Sequence, residues 1–91
     1  MRRTLEKQVR QYIEDTIEGY INGIRDCDYE YLTRDQWKNY VIDSLRIDAE
    51  SGMIVNGVEF KHLYFAGKAE IERMTYKYID TYKDMQEYIV R

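Results

Sequence analysis

The chain has 91 residues, which is the length of one small domain and excludes a multidomain protein. Hydrophobic residues make up 44% and charged residues 34%, a balance typical of folded globular domains and unlike that of a disordered tail. A net charge of −3 and a pI near 5.1 argue against direct binding of DNA or RNA, which needs basic side chains to neutralise phosphates.

The expected location follows from what the chain lacks. No stretch approaches the roughly 18–20 apolar residues that a membrane span requires. The basic N-terminus leads into polar residues rather than the apolar centre of a signal peptide. Cys27 is the single cysteine, so an internal disulfide is impossible and a reducing compartment is the simpler interpretation. We therefore expect a soluble, cytoplasmic protein without membrane association.

The first predicted element is an amphipathic helix over residues 4–24. Its apolar residues recur at steps of three and four and therefore share one face. They are Leu5, Val9, Tyr12, Ile13, Ile17, Tyr20, Ile21 and Ile24. Residues 25–32 then form a polar connector to the next element.

A capping box marks the start of the second helix, which we predict over residues 34–46. Thr33 is followed three positions later by Gln36, so each can bond the backbone N–H group of the other. The apolar face of this helix consists of Trp37, Tyr40, Val41 and Leu45.

A short β-hairpin is predicted near residues 53–60. Asn56 and Gly57 separate two short apolar runs, and Asn-Gly is a strong hairpin signal because both turn positions require positive φ. Such a hairpin is barely stable alone, so we expect it to pack on the helices.

A long helix is predicted over residues 68–90, with one apolar stripe. The stripe consists of Ile71, Met74, Tyr78, Tyr82, Met85 and Ile89. A continuous helix of this length would measure roughly 34 Å, longer than a compact domain of this size. The helix therefore either breaks near Asp80 and Thr81 or projects towards a partner. Two interpretations of the stripe remain open: it is part of the core, or it is a self-association surface of a homodimer.

The predicted fold class is thus mainly α, a small α+β fold forming one domain over residues 1–91. It has two N-terminal helices, a short hairpin, and a long or broken C-terminal helix. Two helices before a hairpin resemble part of a winged helix-turn-helix, but that fold has three helices before its wing, and the acidic charge opposes it.

No catalytic site or cofactor is predicted, so we expect a protein that is not an enzyme. No nucleophile elbow, phosphate-binding loop or zinc-protease motif occurs. Cys27 and His62 have the residue types of a nucleophile and its base, but nothing in the sequence brings them together.

A calcium site is also not predicted, although the spacing of three carboxylates resembles the start of an EF-hand loop. Asp26, Asp28 and Glu30 occupy alternate positions, as the first ligands of that loop do. The sixth position of the loop requires glycine and the twelfth requires glutamate. Here these positions hold Tyr31 and Trp37, so we predict no metal.

Charge is distributed unevenly, and this leads to the functional prediction. Residues 1–13 carry four basic side chains and one acidic, residues 14–50 carry ten acidic and four basic, and residues 51–91 carry six of each. The acidic middle holds a run in which carboxylates alternate with tyrosines. Its candidate partner-binding residues are Asp26, Asp28, Tyr29, Glu30 and Tyr31.

Such a segment suits docking on a basic surface, because charge steers the encounter and tyrosines supply contact area. The predicted function is a non-enzymatic protein-binding module, a small acidic inhibitor or adaptor of the phage or mobile-element type. It would occupy a basic site on a larger protein such as a nucleic-acid enzyme. The alternatives are a solvated connector without function, a homo-oligomer formed through the C-terminal helix, and a protein that binds a small molecule or nucleotide.

Overall fold

Three helices and four very short strands make up the described chain. The computed structural model describes the backbone of residues 3–55 and 57–91, and the side chains of residues 6–54, 57, 59, 61 and 67–91. The helices are α1 (Arg3–Arg25), α2 (Arg34–Glu50) and α3 (Phe60–Thr81), and a 3₁₀ segment (Lys83–Tyr88) follows them. The strands are β1 (Leu32–Thr33), β2 (Ile54–Val55), β3 (Val58–Glu59) and β4 (Ile89–Val90). The predicted mainly α, small α+β fold is confirmed.

The apolar stripe of α1 is buried along its described part, as its spacing predicts, and the side chain of Leu5 lies outside the described residues. Its fully enclosed members are Val9, Ile13, Ile17, Ile21 and Ile24. Tyr12 and Tyr20 lie at the edge of the same stripe and pack against the core while part of each ring stays exposed. In Tyr12 the hydroxyl donates a hydrogen bond of 2.6 Å to the Asp48 carboxylate of α2.

The capping box at the start of α2 is confirmed. Thr33 Oγ1 accepts from the Gln36 backbone N–H at 3.2 Å, and Gln36 Oε1 accepts from the Thr33 backbone N–H at 2.9 Å. The helix continues to Glu50 rather than ending at residue 46, and Gly52 follows with a φ of +84°. A left-handed glycine just beyond the last turn is a common way for a helix to stop.

The hairpin is confirmed as an antiparallel pair of β2 and β3. Ile54 pairs with Glu59, and Val55 pairs with Val58. Gly57 has a φ of +79°, the backbone geometry for which a turn glycine is selected. Asn56 lies outside the described residues.

The C-terminal helix is broken, as one of the two interpretations predicted. Helix α3 ends at Thr81, and Tyr82 is extended with φ −71° and ψ 121°. Helix α3 has a kink at Gly67, whose φ of −146° is not helical, so its second segment begins near residue 68 as predicted, and a further helical segment from Phe60 precedes it. After the 3₁₀ segment, β4 pairs in parallel with β1, which returns the C-terminus to the start of α2.

A central tryptophan joins these elements. Trp37 of α2 is fully buried, and its indole Nε1 donates to the Tyr88 carbonyl at 3.1 Å. The buried face of α3 combines Ile71 with Thr75 and Ile79, and the Thr75 hydroxyl donates to the Ile71 carbonyl at 2.8 Å. This bond satisfies a polar group that would otherwise destabilise the core.

The molecule measures 35 × 23 × 18 Å along its principal axes. None of the helices in the described part of the chain combines the length and apolarity that a bilayer crossing needs.

Candidate partner-binding loop

The five candidate partner-binding residues lie together on one ordered segment, which we call the acidic loop (residues 26–31). The loop begins as the C-terminal cap of α1. Cys27 is left-handed, with a φ of +63°, and its N–H donates to the Ile24 carbonyl at 3.0 Å. The Asp28 N–H donates to the Gly23 carbonyl at 2.9 Å. These two bonds form a Schellman motif, which fixes the direction in which the loop leaves the helix.

Tyr29 folds back over the end of α1. Its ring lies directly against Gly23, where a Cβ atom would overlap the ring. It stacks on Tyr20 with 4.8 Å between ring centroids and 21° between planes. The Tyr20 hydroxyl then donates to the Glu30 carbonyl at 2.9 Å. One tyrosine of α1 therefore holds both the side chain and the backbone of the loop.

Tyr20 in turn belongs to an aromatic cluster beneath the loop. Its ring meets the edges of Trp37 and Tyr40 at centroid distances of 4.9 and 4.8 Å. Burial raises the pKa of the Tyr20 phenol, and the neighbouring Tyr40 phenol and Glu30 carboxylate add to the increase. Tyr20 therefore stays protonated at neutral pH and keeps its hydrogen bond to the loop.

The far end of the loop is held by the C-terminal segment. Tyr31 contacts Tyr88 edge to face at 6.2 Å, just before β1 pairs with β4. Arg25 Nε donates to the Tyr88 hydroxyl at 3.1 Å, and this hydrogen bond raises the pKa of the guanidinium. The loop is thus anchored by the Schellman motif where it leaves α1 and by Tyr29 and Tyr31 further along.

The surface of the loop is nevertheless open. Tyr29 and Tyr31 remain 52% and 54% exposed. Asp26, Asp28 and Glu30 are exposed, and none of the three carboxylates forms a hydrogen bond or ion pair with the described side chains. The structure therefore presents three carboxylates and two tyrosines on a fixed backbone.

The residues predicted for self-association do not form one surface. Ile71 and Met85 are fully buried in the chain's own core and are unavailable to a second molecule, which corrects that expectation for these two. The others are partly buried against the same core: Met74, Tyr78, Tyr82 and Ile89. Because α3 ends at Thr81, the stripe is also divided between a helix, a 3₁₀ segment and a strand.

Two of these tyrosines form a second stack. Tyr78 and Tyr82 lie 5.0 Å apart with 13° between their planes. Burial raises the pKa of Tyr78, and Tyr82, Glu14 and Glu18 raise it further.

The structure adds no support for the two other sites considered from the sequence, a Cys27–His62 pair and a calcium site. Cys27 is exposed, and the side chain of His62 lies outside the described residues. Among the described side chains, no group of three or more histidine, cysteine, aspartate or glutamate residues is placed to hold a metal ion.

Sequence reasoning missed a second charged feature, which we call the basic groove. It is a cleft of about 500 Å³ between α1 and α3. Arg10, Arg73 and Lys77 line it above an apolar floor that includes Met74 and Tyr78. Arg73 and Lys77 are one helical turn apart, which indicates a basic face on that helix. However, no local pattern in the sequence predicts that these two residues lie near Arg10.

Comparison with known proteins identifies no protein that is similar to this chain. No protein-family model matches this chain, and neither the curated proteins nor the solved structures yield a significant match.

Proposed function

We propose that the protein is a non-enzymatic, cytoplasmic binding module whose acidic loop docks on a basic site of a larger protein, as a small inhibitor or adaptor does. The observation that carries the proposal is that Asp26, Asp28 and Glu30 have no hydrogen-bond or ion-pair partner among the described side chains, on a segment that is otherwise firmly anchored. A protein surface that keeps charge and aromatic area open on a fixed backbone loses little entropy on binding.

The placement of the charges supports the same proposal, because it opposes the stability of α1. Asp26 and Asp28 follow the last turn of the helix, where the helix dipole favours cations by about 0.3–1 kcal/mol. Cys27 occupies a left-handed position that normally selects glycine. Asp26, Cys27 and Asp28 thus each occupy a position where that residue type lowers the stability of the helix end, as residues at functional sites often do.

The two tyrosines supply the second half of a binding surface. Tyrosine brings large contact area with few rotatable bonds and is enriched at protein interfaces. Tyr29 and Tyr31 are each about half exposed and half supported by neighbouring rings, so little of their freedom remains to be lost. Carboxylates around them would provide steering towards a basic partner.

The test compares capture of a partner by three forms of the tagged protein. The loop variant carries Asp26→Asn, Asp28→Asn and Glu30→Gln. The control variant carries the same chemical changes elsewhere, at Asp15, Asp43 and Glu50, which are exposed on α1 and α2. Each is incubated with nuclease-treated native lysate, and bound proteins are quantified by mass spectrometry.

We expect wild type and control variant to recover one basic protein in near-stoichiometric amount, and the loop variant to recover at least about tenfold less. Equal recovery by the loop variant would reject the acidic loop as the binding surface. Recovery of the bait alone by all three forms would reject the proposed function.

A further inference from the structure

The basic groove has the charge and shape to receive a segment like the acidic loop. Among the described residues, its lining carries three cationic side chains and one carboxylate, that of Glu6. Arg10 Nη2 lies 3.6 Å from Glu6 Oε1, and Arg73 Nη2 lies 3.6 Å from Glu70 Oε1, both as pairs within one helix in which the arginine is well exposed and the glutamate partly exposed. Such pairs contribute only about 0.3–0.5 kcal/mol, so the guanidinium groups can readily exchange to another carboxylate.

The third cation and the floor complete the groove. Lys77 is exposed and forms no ion pair with the described side chains. Met74 and Tyr78 offer a partly exposed apolar and aromatic surface between the cations. Three cations around an aromatic floor match three carboxylates around two tyrosines.

The groove and the acidic loop of one molecule cannot meet each other. Arg10 and Arg25 belong to the same continuous helix, fifteen residues apart, which separates them by roughly 22 Å along its axis. The loop is fixed to the end of that helix by the Schellman hydrogen bonds and by Tyr20. The complementary surfaces can therefore be satisfied only between molecules.

We propose that the acidic loop of one molecule docks into the basic groove of a second copy, head to tail. The inference rests on the proposed function in one respect, that the acidic loop is a binding surface. In the docked pair, Asp26, Asp28 and Glu30 face Arg10, Arg73 and Lys77 of the other molecule. Because a docked pair keeps one free groove on one copy and one free loop on the other, the contact repeats and the assembly grows with concentration.

The functional consequence is competition for the acidic loop. A loop that occupies the groove of another copy is not available to the larger partner. The interface of one loop with one cleft is small, which places it among weak, reversible contacts. Self-association therefore withholds the loop at high concentration and releases it on dilution or when a tighter basic site is present.

The first experiment measures the mass of the wild type by light scattering. From about 10 to about 500 µM in roughly 0.02 M NaCl, the weight-average mass should rise at least about 1.5-fold. In roughly 0.5 M NaCl the mass should return to that of the monomer, because salt screens exposed charges. A wild type that stays monomeric at low salt overturns the proposal and leaves the groove to an acidic segment of another protein.

The second experiment is a complementation between two neutralised variants. The groove variant carries Arg10→Gln, Arg73→Gln and Lys77→Gln, and it is mixed with the loop variant. Each alone should remain monomeric, because each lacks one half of the contact. The mixture should form a one-to-one heterodimer, in which the intact loop of the groove variant occupies the intact groove of the loop variant.

Neutral substitutions keep the loop variant at a net charge near zero, so attraction between net charges does not explain the pairing. The control variant should self-associate as the wild type does. A mixture that stays monomeric, or a single variant that associates like the wild type, overturns the proposal.

These outcomes separate the inference from the proposed function. If the protein self-associates by head-to-tail docking, the groove variant should still capture the larger partner, since its loop is intact. If no form of the protein self-associates and the partner is still captured, only the inference is rejected. Self-association without any captured partner rejects only the proposed function.

Discussion

Two regions near the start of α2 contain the same residue types and use them differently. One is the acidic loop. The other, which we call the clamp, joins α2 to the end of α3. In the clamp, Arg34 donates through Nε and Nη2 to the two oxygens of Asp80, each at 2.8 Å. The Tyr76 hydroxyl donates to Asp35 at 2.7 Å, and the Arg34 guanidinium lies 4.1 Å from the centre of the Tyr76 ring.

The difference is whether a carboxylate has a partner within the fold. In the clamp, both carboxylates accept hydrogen bonds and join two helices. In the acidic loop, the tyrosines join the loop to the fold while the three carboxylates face solvent. A sequence of aspartates and tyrosines therefore does not itself indicate a binding surface. What distinguishes the acidic loop is that its tyrosines are used by the fold and its charges are not.

The largest expected effect comes from Trp37→Ala, which removes the buried ring beneath Tyr20 and the acidic loop. The indole is fully buried, contacts Tyr20 and bonds the Tyr88 carbonyl, so truncation leaves a cavity and an unsatisfied group. We expect a loss of about 3–5 kcal/mol in the free energy of unfolding. Denaturant unfolding measures it, and a loss below about 1 kcal/mol would contradict this packing.

Cys27→Gly should stabilise the fold by about 0.5–1 kcal/mol, since glycine adopts the left-handed conformation without steric cost. Cys27→Ala is the matched control, because it removes the thiol but keeps the left-handed strain. Thermal melts of both variants, compared with wild type, distinguish relief of backbone strain from removal of the thiol. If alanine stabilises as much as glycine does, the thiol rather than the backbone is the source of the effect.

Asp80→Asn tests the clamp through pH. The hydrogen bond from Arg34 lowers the pKa of Asp80, so its stabilising effect is present above the pKa of the unfolded chain, near 4, and is lost as pH falls through the lowered value. We expect the variant to melt roughly 2–4 °C below wild type at neutral pH, as for an exposed ion pair.

This difference should shrink as pH falls below about 4 and disappear below the lowered pKa of Asp80, where the wild type loses the same charge. Melting temperatures measured from pH 2 to pH 8 give the comparison. A difference that persists unchanged at low pH would show that the clamp acts through packing alone.

Gly23→Ala has the smallest expected effect on stability and separates anchoring from charge. The new methyl group displaces the Tyr29 ring and ends its stacking on Tyr20, which loses about 0.5–1.5 kcal/mol. Replacing glycine within a helix gains about as much. The melting temperature should therefore change little, while partner capture should fall although residues 26–31 are intact.

Gly19→Ala provides the control, since nothing lies within 4 Å of a methyl group at that position. It should stabilise the helix and leave both partner capture and the near-UV circular dichroism of the tyrosines unchanged. A Gly23→Ala variant that keeps the wild-type near-UV spectrum would show that Tyr29 does not depend on Gly23.

Local signals predicted most of the fold. The capping box at Thr33, the hairpin at Gly57 and the stripe of α1 all arise from residues close in sequence, whose geometry is set by neighbouring backbone. The length of the C-terminal helix predicted either a break near Asp80 and Thr81 or a projecting helix, and the structure shows the break. The helical segment after the kink at Gly67 begins where it was predicted, near residue 68, whereas the helical residues before the kink, from Phe60, were not predicted.

Long-range features could not be predicted in the same way. On α3 the stripe through Met74 and Tyr78 was favoured by hydropathy, yet Thr75 and Ile79 are the more deeply buried, because this helix packs against α2 as well as α1. The β1–β4 pair consists of two residues on each side and lacks any local signal.

The acidic loop was found because its residues are contiguous in sequence. The basic groove was missed because Arg10 meets Arg73 and Lys77 only in the folded chain. Which carboxylates have partners is likewise decided by tertiary contacts. The sequence alone did not distinguish the clamp from the loop.

The free energy of unfolding of the loop variant tests the central claim most directly, measured in denaturant beside wild type and Asp80→Asn. If the fold does not use the loop carboxylates, the loop variant should equal wild type or exceed it by up to about 1 kcal/mol, because two charges opposing the α1 dipole are removed. Asp80→Asn should be less stable than both. A loop variant destabilised as much as Asp80→Asn would contradict the account, since the carboxylates would then serve the fold rather than a partner.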